Sequence, residues 1–145
     1  MNEELAQIIK EIACLSPQEK VEYAVFSEKK FLDDLEAHGV KDGDTQVDIL
    51  LSYLKLFLAA DGRFSKVEYD FFQAVTGLDV SYEDLKGAVA QGLDPEFQKG
   101  LYQFSAQLSG DGKTAVVSLG VCLISCDYDI SEDEADVLIN VLRAE

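Results

Sequence analysis

Two acidic segments of the chain are related by their composition and spacing. Residues 61–68 read DGRFSKVE, and residues 127–134 read DYDISEDE. Each segment begins with Asp, has Phe or Ile three positions later, continues with Ser and ends with Glu, so the pattern repeats at a constant offset of 66 residues. Carboxylate oxygens at this density are hard ligands of the kind that calcium and magnesium prefer. Any metal chemistry of this chain is therefore expected in these two turns.

The candidate ligands for a divalent cation such as calcium or magnesium are five carboxylates of these segments: Asp61, Glu68, Asp127, Asp129 and Glu134. The two glutamates also have a structural explanation. Each stands three residues after a serine, Ser65 or Ser131, and this spacing is typical of a capping box at a helix start. Phe64 and Ile130 precede these serines, where they could form hydrophobic staples with Tyr69 and Ala135.

The three aspartates are harder to explain by helix capping. Asp61, Asp127 and Asp129 follow the carboxyl ends of predicted buried helices, where the helix dipole disfavours a negative charge. Two explanations stay open: Asx-type turns within the backbone, or a cation bound by the carboxylates and the helix-end carbonyls. An EF-hand is excluded, because its first and third loop positions would fall on Phe57 and Ala59, which have no side-chain oxygen.

Helix starts are marked along the whole chain by capping residues, namely Ser16, Ser65, Ser81, Asp94 and Ser131. Together with the helical spacing of apolar residues, they predict helices over 3–14, 17–38, 46–60, 66–76, 82–91, 95–108, 114–126 and 132–143. Ser27 marks a candidate break in the second of these.

Two of the predicted helices, within 47–60 and 114–126, are apolar on nearly every face, which is typical of buried helices. The loops before them match as Asp42-Gly43 and Asp111-Gly112. We therefore predict an all-α, single-domain helical bundle over residues 1–145. Its repeat halves, at about 46–76 and 114–143, would be related by a pseudo-two-fold axis around these two central helices.

The repeated motif resembles a known family. Residues 59–68 (AADGRFSKVE) and 125–134 (SCDYDISEDE) are similar to the two signatures of the tellurite-resistance TerB-like domains. The resemblance covers residues 46–143. It implies an all-helical bundle, an association with tellurite resistance or general stress response, and metal binding through the acidic residues, and it does not imply an enzyme. The second copy departs from the family pattern at Tyr128, where the family usually has Gly.

The charge of the chain restricts its partners. With 28 acidic and 12 basic side chains, the net charge is −16, which repels nucleic acid and anionic membranes and attracts cations or a protein partner with a basic surface. The longest uncharged stretch, 114–126, is shorter than the roughly 20 residues of a membrane span. The acidic N-terminus is unlike a signal peptide, so a cytoplasmic location is expected.

The remaining reactive residue types indicate structure rather than catalysis. Cys122 and Cys126 are far in sequence from Cys14, so reduced, packed thiols are expected. Residues 109–114 (SGDGKT) lack the first glycine and the preceding strand of a phosphate loop, and they predict a turn and helix cap. The only histidine, His38, precedes Gly39 at a predicted helix end.

These observations favour a non-enzymatic TerB-like module that binds divalent cations or a basic protein partner. Two alternatives remain. One is a metal hydrolase that uses Asp61, Glu68, Asp127 and Glu134, although histidine usually supplies some ligands in such sites. The other is a protein-interaction scaffold that binds no ion.

Overall fold

The computed structural model describes residues 2–60, 62–125 and 130–144. Within these ranges the chain forms α-helices and no strands, so the predicted all-α class is confirmed. The helices are α1 (Glu3–Ala13), α2 (Pro17–Ala37), α3 (Gly43–Ala59), α4 (Lys66–Thr76), α5 (Tyr82–Gln91), α6 (Pro95–Ser105), α7 (Gly110–Ile124) and α8 (Glu132–Leu142).

The predicted start of α1 at Glu3 is confirmed, and the five helix starts that were predicted from capping residues are also confirmed to the residue. In each case the side chain before the helix accepts a hydrogen bond from a backbone N–H of the first turn, which satisfies a donor that has no partner within the helix. These N-cap residues are Ser16, Ser65, Ser81, Asp94 and Ser131. The first, second and fifth form complete capping boxes.

The predicted starts of α3 and α7 were wrong by three and four residues. The Asp42 carboxylate accepts a hydrogen bond from the Thr45 N–H at 3.0 Å, and the Ser109 hydroxyl accepts one from the Gly112 N–H at 2.9 Å. Both helices therefore begin inside the segments predicted as loops. The two Asp-Gly pairs are also not equivalent, because Asp42 is an N-cap whereas Asp111 lies in the first turn of α7.

Two further predictions are corrected. α6 ends at Ser105 rather than at 108, because the next residues form a tighter turn in which the Leu108 N–H donates to the Ser105 carbonyl at 3.1 Å. α2 does not break at Ser27, which is buried within a continuous helix.

α7 is the central helix of the fold. Eleven of its fifteen residues are buried, and its most extensive contacts are with α2. α3 packs against it where Gly120 lets the Phe57 ring approach, since a Cβ atom at Gly120 would lie 2.6 Å from Phe57 Cδ2. The prediction of a buried α7 is thus confirmed, and one apolar core receives side chains from all eight helices.

The prediction that α3 is buried on every face was wrong. Leu50, Tyr53 and Leu54 lie in the core, but Asp48 is exposed and Lys55 is partly exposed on the other side. The helix therefore has one face that the rest of the fold covers only in part.

The two repeat units make reciprocal contacts. α3 of the first unit packs against α8 of the second, and α4 of the first packs against α7 of the second. A pseudo-two-fold axis that relates α3–α4 to α7–α8 would produce this arrangement.

Candidate functional site

The predicted ligands divide into two groups. Glu68 and Glu134 lie at the starts of α4 and α8. Asp61, Asp127 and Asp129 lie outside the described residues, so their predicted role as ligands stays a prediction.

Both glutamates close the capping boxes that the sequence predicts. Glu68 Oε1 accepts a hydrogen bond from the Ser65 N–H at 2.9 Å, and Ser65 Oγ accepts one from the Glu68 N–H at 3.1 Å. In the second copy, Glu134 Oε1 accepts from the Ser131 N–H at 2.8 Å, and the return bond to Ser131 Oγ measures 3.2 Å. The starts of α4 and α8 thus have the same reciprocal pair of hydrogen bonds between serine and glutamate.

The sequence does not predict how deeply these carboxylates are buried. Glu68 is 0% exposed and Glu134 is 1% exposed. Capping alone does not require this burial, because Glu19 closes a capping box of the same geometry at the exposed start of α2, with bonds of 3.0 and 3.2 Å. Burial of a carboxylate is unfavourable unless its charge is compensated by the surroundings. Each of the two repeated segments therefore places one carboxyl group below the surface of the fold.

Aromatic rings cover the first of these turns. Phe64 stacks on Tyr82 with ring centroids 5.8 Å apart, and Tyr69 meets the same ring edge-on at 5.4 Å. The Lys66 ammonium lies 4.6 Å from the centre of the Tyr69 ring. The expected contact of Phe64 with the first turn of α4 is thus made through Tyr82 of α5.

The backbone after α3 requires a glycine. Gly62 has a φ of 75°, in the left-handed region, and its N–H donates to the Ala59 carbonyl at 3.2 Å. A side chain in this conformation is strained. Tyr128, which aligns with Gly62, lies outside the described residues.

The described part of the chain does not contain a complete metal centre. Within residues 2–60, 62–125 and 130–144, there is no group of three or more His, Cys, Asp or Glu side chains that could hold an ion. A centre of three or more such side chains at the acidic turns would therefore include at least one of the three aspartates that lie outside the described residues.

The segment that resembles a phosphate loop contains a helix cap, as predicted, but the cap is Ser109 and the residues after it belong to α7 rather than to a turn. The Ser109 hydroxyl donates to Asp34 Oδ1 at 2.6 Å, and the Ser109 N–H donates to Asp34 Oδ2 at 3.3 Å. A carboxylate from α2 thus occupies the helix start where a phosphate would bind. Lys113 instead donates to the Ala144 carbonyl at 2.7 Å.

The surroundings of the described cysteines and of the histidine are those of structural residues. Cys14 and Cys122 are thiols, the first exposed and the second buried. Burial raises the pKa of the Cys122 thiol to about 12, and the nearby charge of Lys20 opposes this only in part. Cys126 lies outside the described residues. His38 caps the end of α2, with Nδ1 2.8 Å from the Asp34 carbonyl oxygen.

One surface feature, a groove between α3 and α6, was not predicted from the sequence. Phe97, Leu101 and Phe104 follow the helical spacing of apolar residues on α6, and Phe97 is 49% exposed. It lies in a groove of about 430 Å³ between α3 and α6. A signal for this groove was present in α3, where Asp48, Ser52 and Lys55 form a polar stripe at helical spacing.

Among the described residues, no helix combines the length and apolar character needed to cross a membrane. Comparison of the chain with models of protein families, with curated proteins and with solved structures finds no match.

Proposed function

We propose that this protein is a non-enzymatic binding module whose two acidic turns hold a divalent cation, calcium or magnesium. The observation that supports this most is the burial of Glu68 and Glu134 at the same position of two repeated segments. Hydrogen bonds from the capping boxes and the helix dipoles favour the ionised form of each carboxylate. A cation bound by the aspartates of the same two sequence segments would add a favourable charge interaction.

The proposed ligand set adds Asp61, Asp127 and Asp129 to the two glutamates. These aspartates follow α3 and α7, whose carboxyl ends carry partial negative charge. Calcium takes roughly six to eight oxygen ligands, and helix-end carbonyls, carboxylates and water are all suitable. The net charge of −16 also raises the local concentration of cations.

Calorimetric titration of the metal-free chain with calcium, magnesium and manganese tests this proposal. We expect binding heat and a rise in melting temperature, both reduced in Asp61→Asn and Asp127→Asn. Glu19→Gln is the matched control, because it alters a capping box of the same geometry that is exposed and distant in sequence from the acidic turns. Absence of heat and of a thermal shift at millimolar ion would contradict cation binding.

The resemblance of residues 46–143 to TerB-like domains supports the same proposal. It connects such a module with metal handling, tellurite resistance or general stress response. Under this proposal the protein acts by binding rather than by catalysis.

A carboxylate-dependent metal hydrolase would use the same side chains. His38 does not favour it, because its Nδ1 lies against the Asp34 carbonyl at the end of α2, and the chain has no other histidine. Phosphatase and esterase assays with added metal separate the two functions: turnover that is lost in Asp127→Asn would replace the binding module with an enzyme. An ion-free scaffold instead predicts that Asp61→Asn leaves partner binding intact.

A further inference from the structure

An apolar groove runs along the surface between α3 and α6. Its walls are formed by Ile49 of α3 and by Phe97, Leu101 and Phe104 of α6, and its volume is about 430 Å³. This volume is within the range of roughly 300–1,000 Å³ that is typical of binding pockets. The half-exposed Phe97 ring leaves apolar surface in contact with water, which a ligand could cover.

A buried polar contact connects the two helices that form the groove. The Tyr53 hydroxyl of α3 lies 2.6 Å from Ser105 Oγ and 3.2 Å from the Leu101 carbonyl oxygen, both on α6. Tyr53 is fully buried, and its ring meets Phe31 edge-on at 5.5 Å. These buried hydrogen bonds hold α3 and α6 together, and Leu101 both accepts one of them and lines the groove.

The charged side chains that line the groove are both acidic, Asp48 from α3 and Glu96 from α6. An adjoining hollow of about 730 Å³ shares Glu96 and Phe97 and adds Asp94 together with Lys55. In a chain with a net charge of −16, this rim attracts a basic ligand.

We propose that this groove docks an amphipathic helix of a partner protein, with apolar residues inserted beside Phe97 and basic residues facing Asp48 and Glu96. Phe97 and Phe104 are seven residues apart on α6, which is about 10 Å, or two turns of a docked helix. Helices bind such grooves through apolar residues at helical spacing. The inference does not depend on cation binding, since the groove shares no residue with the acidic turns.

A second copy of this chain is disfavoured as the occupant. Each copy has a net charge of −16, so its surface would meet the acidic rim of the groove with the same sign of charge. Like charges facing each other oppose association.

A synthetic peptide tests the proposal. The probe is an amphipathic helix of about four turns, with Leu on one face and Lys on the other, and the comparison peptides have Glu or Gln in place of every Lys. Fluorescence anisotropy with the full chain should show the Lys peptide bound at least tenfold more tightly than the Glu peptide. Equal binding of the Lys and Gln peptides would contradict the role of the rim. The titration is repeated with a metal chelator. Peptide binding that persists there shows that docking in the groove does not require the proposed cation, so the two proposals can fail independently.

Two variants locate the binding to the groove. Phe97→Ala should weaken binding of the Lys peptide roughly tenfold or more, whereas Phe26→Ala, at another exposed phenylalanine on α2, should leave it unchanged. Gly100→Leu should abolish binding without unfolding the protein, because a Cβ at Gly100 meets no atom within 4 Å and the new side chain would fill the groove.

The same variants distinguish docking from attraction by net charge alone. A peptide held only by charge would bind Phe97→Ala and Gly100→Leu as tightly as the unaltered chain, and that result would overturn the proposal. Sedimentation velocity should show a monomer. A dimer that Gly100→Leu dissociates would instead assign the groove to a second copy.

Discussion

The start of α2 and the start of α8 have the same capping box in opposite surroundings. Ser16 and Glu19 form the box of α2 in contact with water, and Ser131 and Glu134 form the box of α8 with the carboxylate 1% exposed. Their hydrogen bonds differ by no more than 0.2 Å, at 3.0 and 3.2 Å against 2.8 and 3.2 Å. The capping box therefore determines where the helix begins, and the tertiary fold determines how far its carboxylate is exposed to water.

The cysteines Cys14 and Cys122 show a similar contrast between an exposed and a buried position. Cys14 is exposed just before α2, whereas Cys122 is buried within α7. Because burial raises the Cys122 pKa from 9.0 to about 12, its thiolate fraction at neutral pH falls roughly a thousandfold. We expect a thiol reagent to modify Cys14 rapidly and Cys122 only after unfolding, as measured by site-resolved mass spectrometry. Similar rates at both positions in the folded protein would contradict the described burial.

The next largest effect is expected from removal of the capping carboxylates. Glu134→Ala leaves the part-buried Ser131 N–H without its acceptor and creates a cavity where the buried side chain was, so we expect a loss of about 3 kcal/mol in the free energy of unfolding. Glu19→Ala should cost much less, because water replaces the acceptor at an exposed helix start. Urea unfolding of both variants measures the difference. Equal losses in the free energy of unfolding would show that burial of Glu134 does not increase the stabilisation that its capping box provides.

A smaller difference is expected for the serines of the two boxes. Ser131→Ala should lower the free energy of unfolding by roughly 1–2 kcal/mol, because the Glu134 N–H loses its acceptor next to a buried side chain. Ser16→Ala should have a smaller effect, since the Glu19 N–H is accessible to water. The same urea titrations compare them, and a larger loss for Ser16→Ala would reverse the comparison.

The smallest effect concerns pH. Hydrogen bonds from the Ser16 backbone and then from its side chain lower the pKa of Glu19 from its ordinary value of 4.5. A lowered pKa in the folded state gives stability that is present above pH 4.5 and is lost as the pH falls through the folded-state value. The stability difference between the native chain and Glu19→Gln should therefore shrink below pH 4.5 in urea unfolding curves. A difference that stays constant across this range would contradict the lowered pKa.

The helix starts show how much of the fold is predictable from sequence. Where the capping residue was identified in the sequence, as at Ser65 or Ser81, the predicted helix start was correct to the residue. α3 and α7 were placed too late, because Asp42 and Ser109 were assigned to loops. The same capping rule applies to all of these helices, and the two errors arose because the capping residues of α3 and α7 were not identified.

Burial was less predictable, because it depends on elements that are distant in sequence. Glu68 and Glu134 were correctly placed in capping boxes, but capping geometry gives no information on what covers them. Phe97 follows the apolar spacing of α6 and is nevertheless half exposed, in the groove between α3 and α6. The relation of the five predicted ligands to one another stays a prediction, as three of them lie outside the described residues.

The pairing of α2 with α7 has a consequence for the order in which the protein folds. Asp34 and Ser109 are 75 positions apart in the chain, and the buried face of α2, with Phe31 and Leu35, is completed only when α7 packs against it. A nascent chain that ends before residue 109 has made α2 but not its main partner. Contacts between such distant segments form late in folding, because the loop between them must first lose conformational entropy. We therefore expect α2 to become stably packed on the ribosome only after α7 has been synthesised.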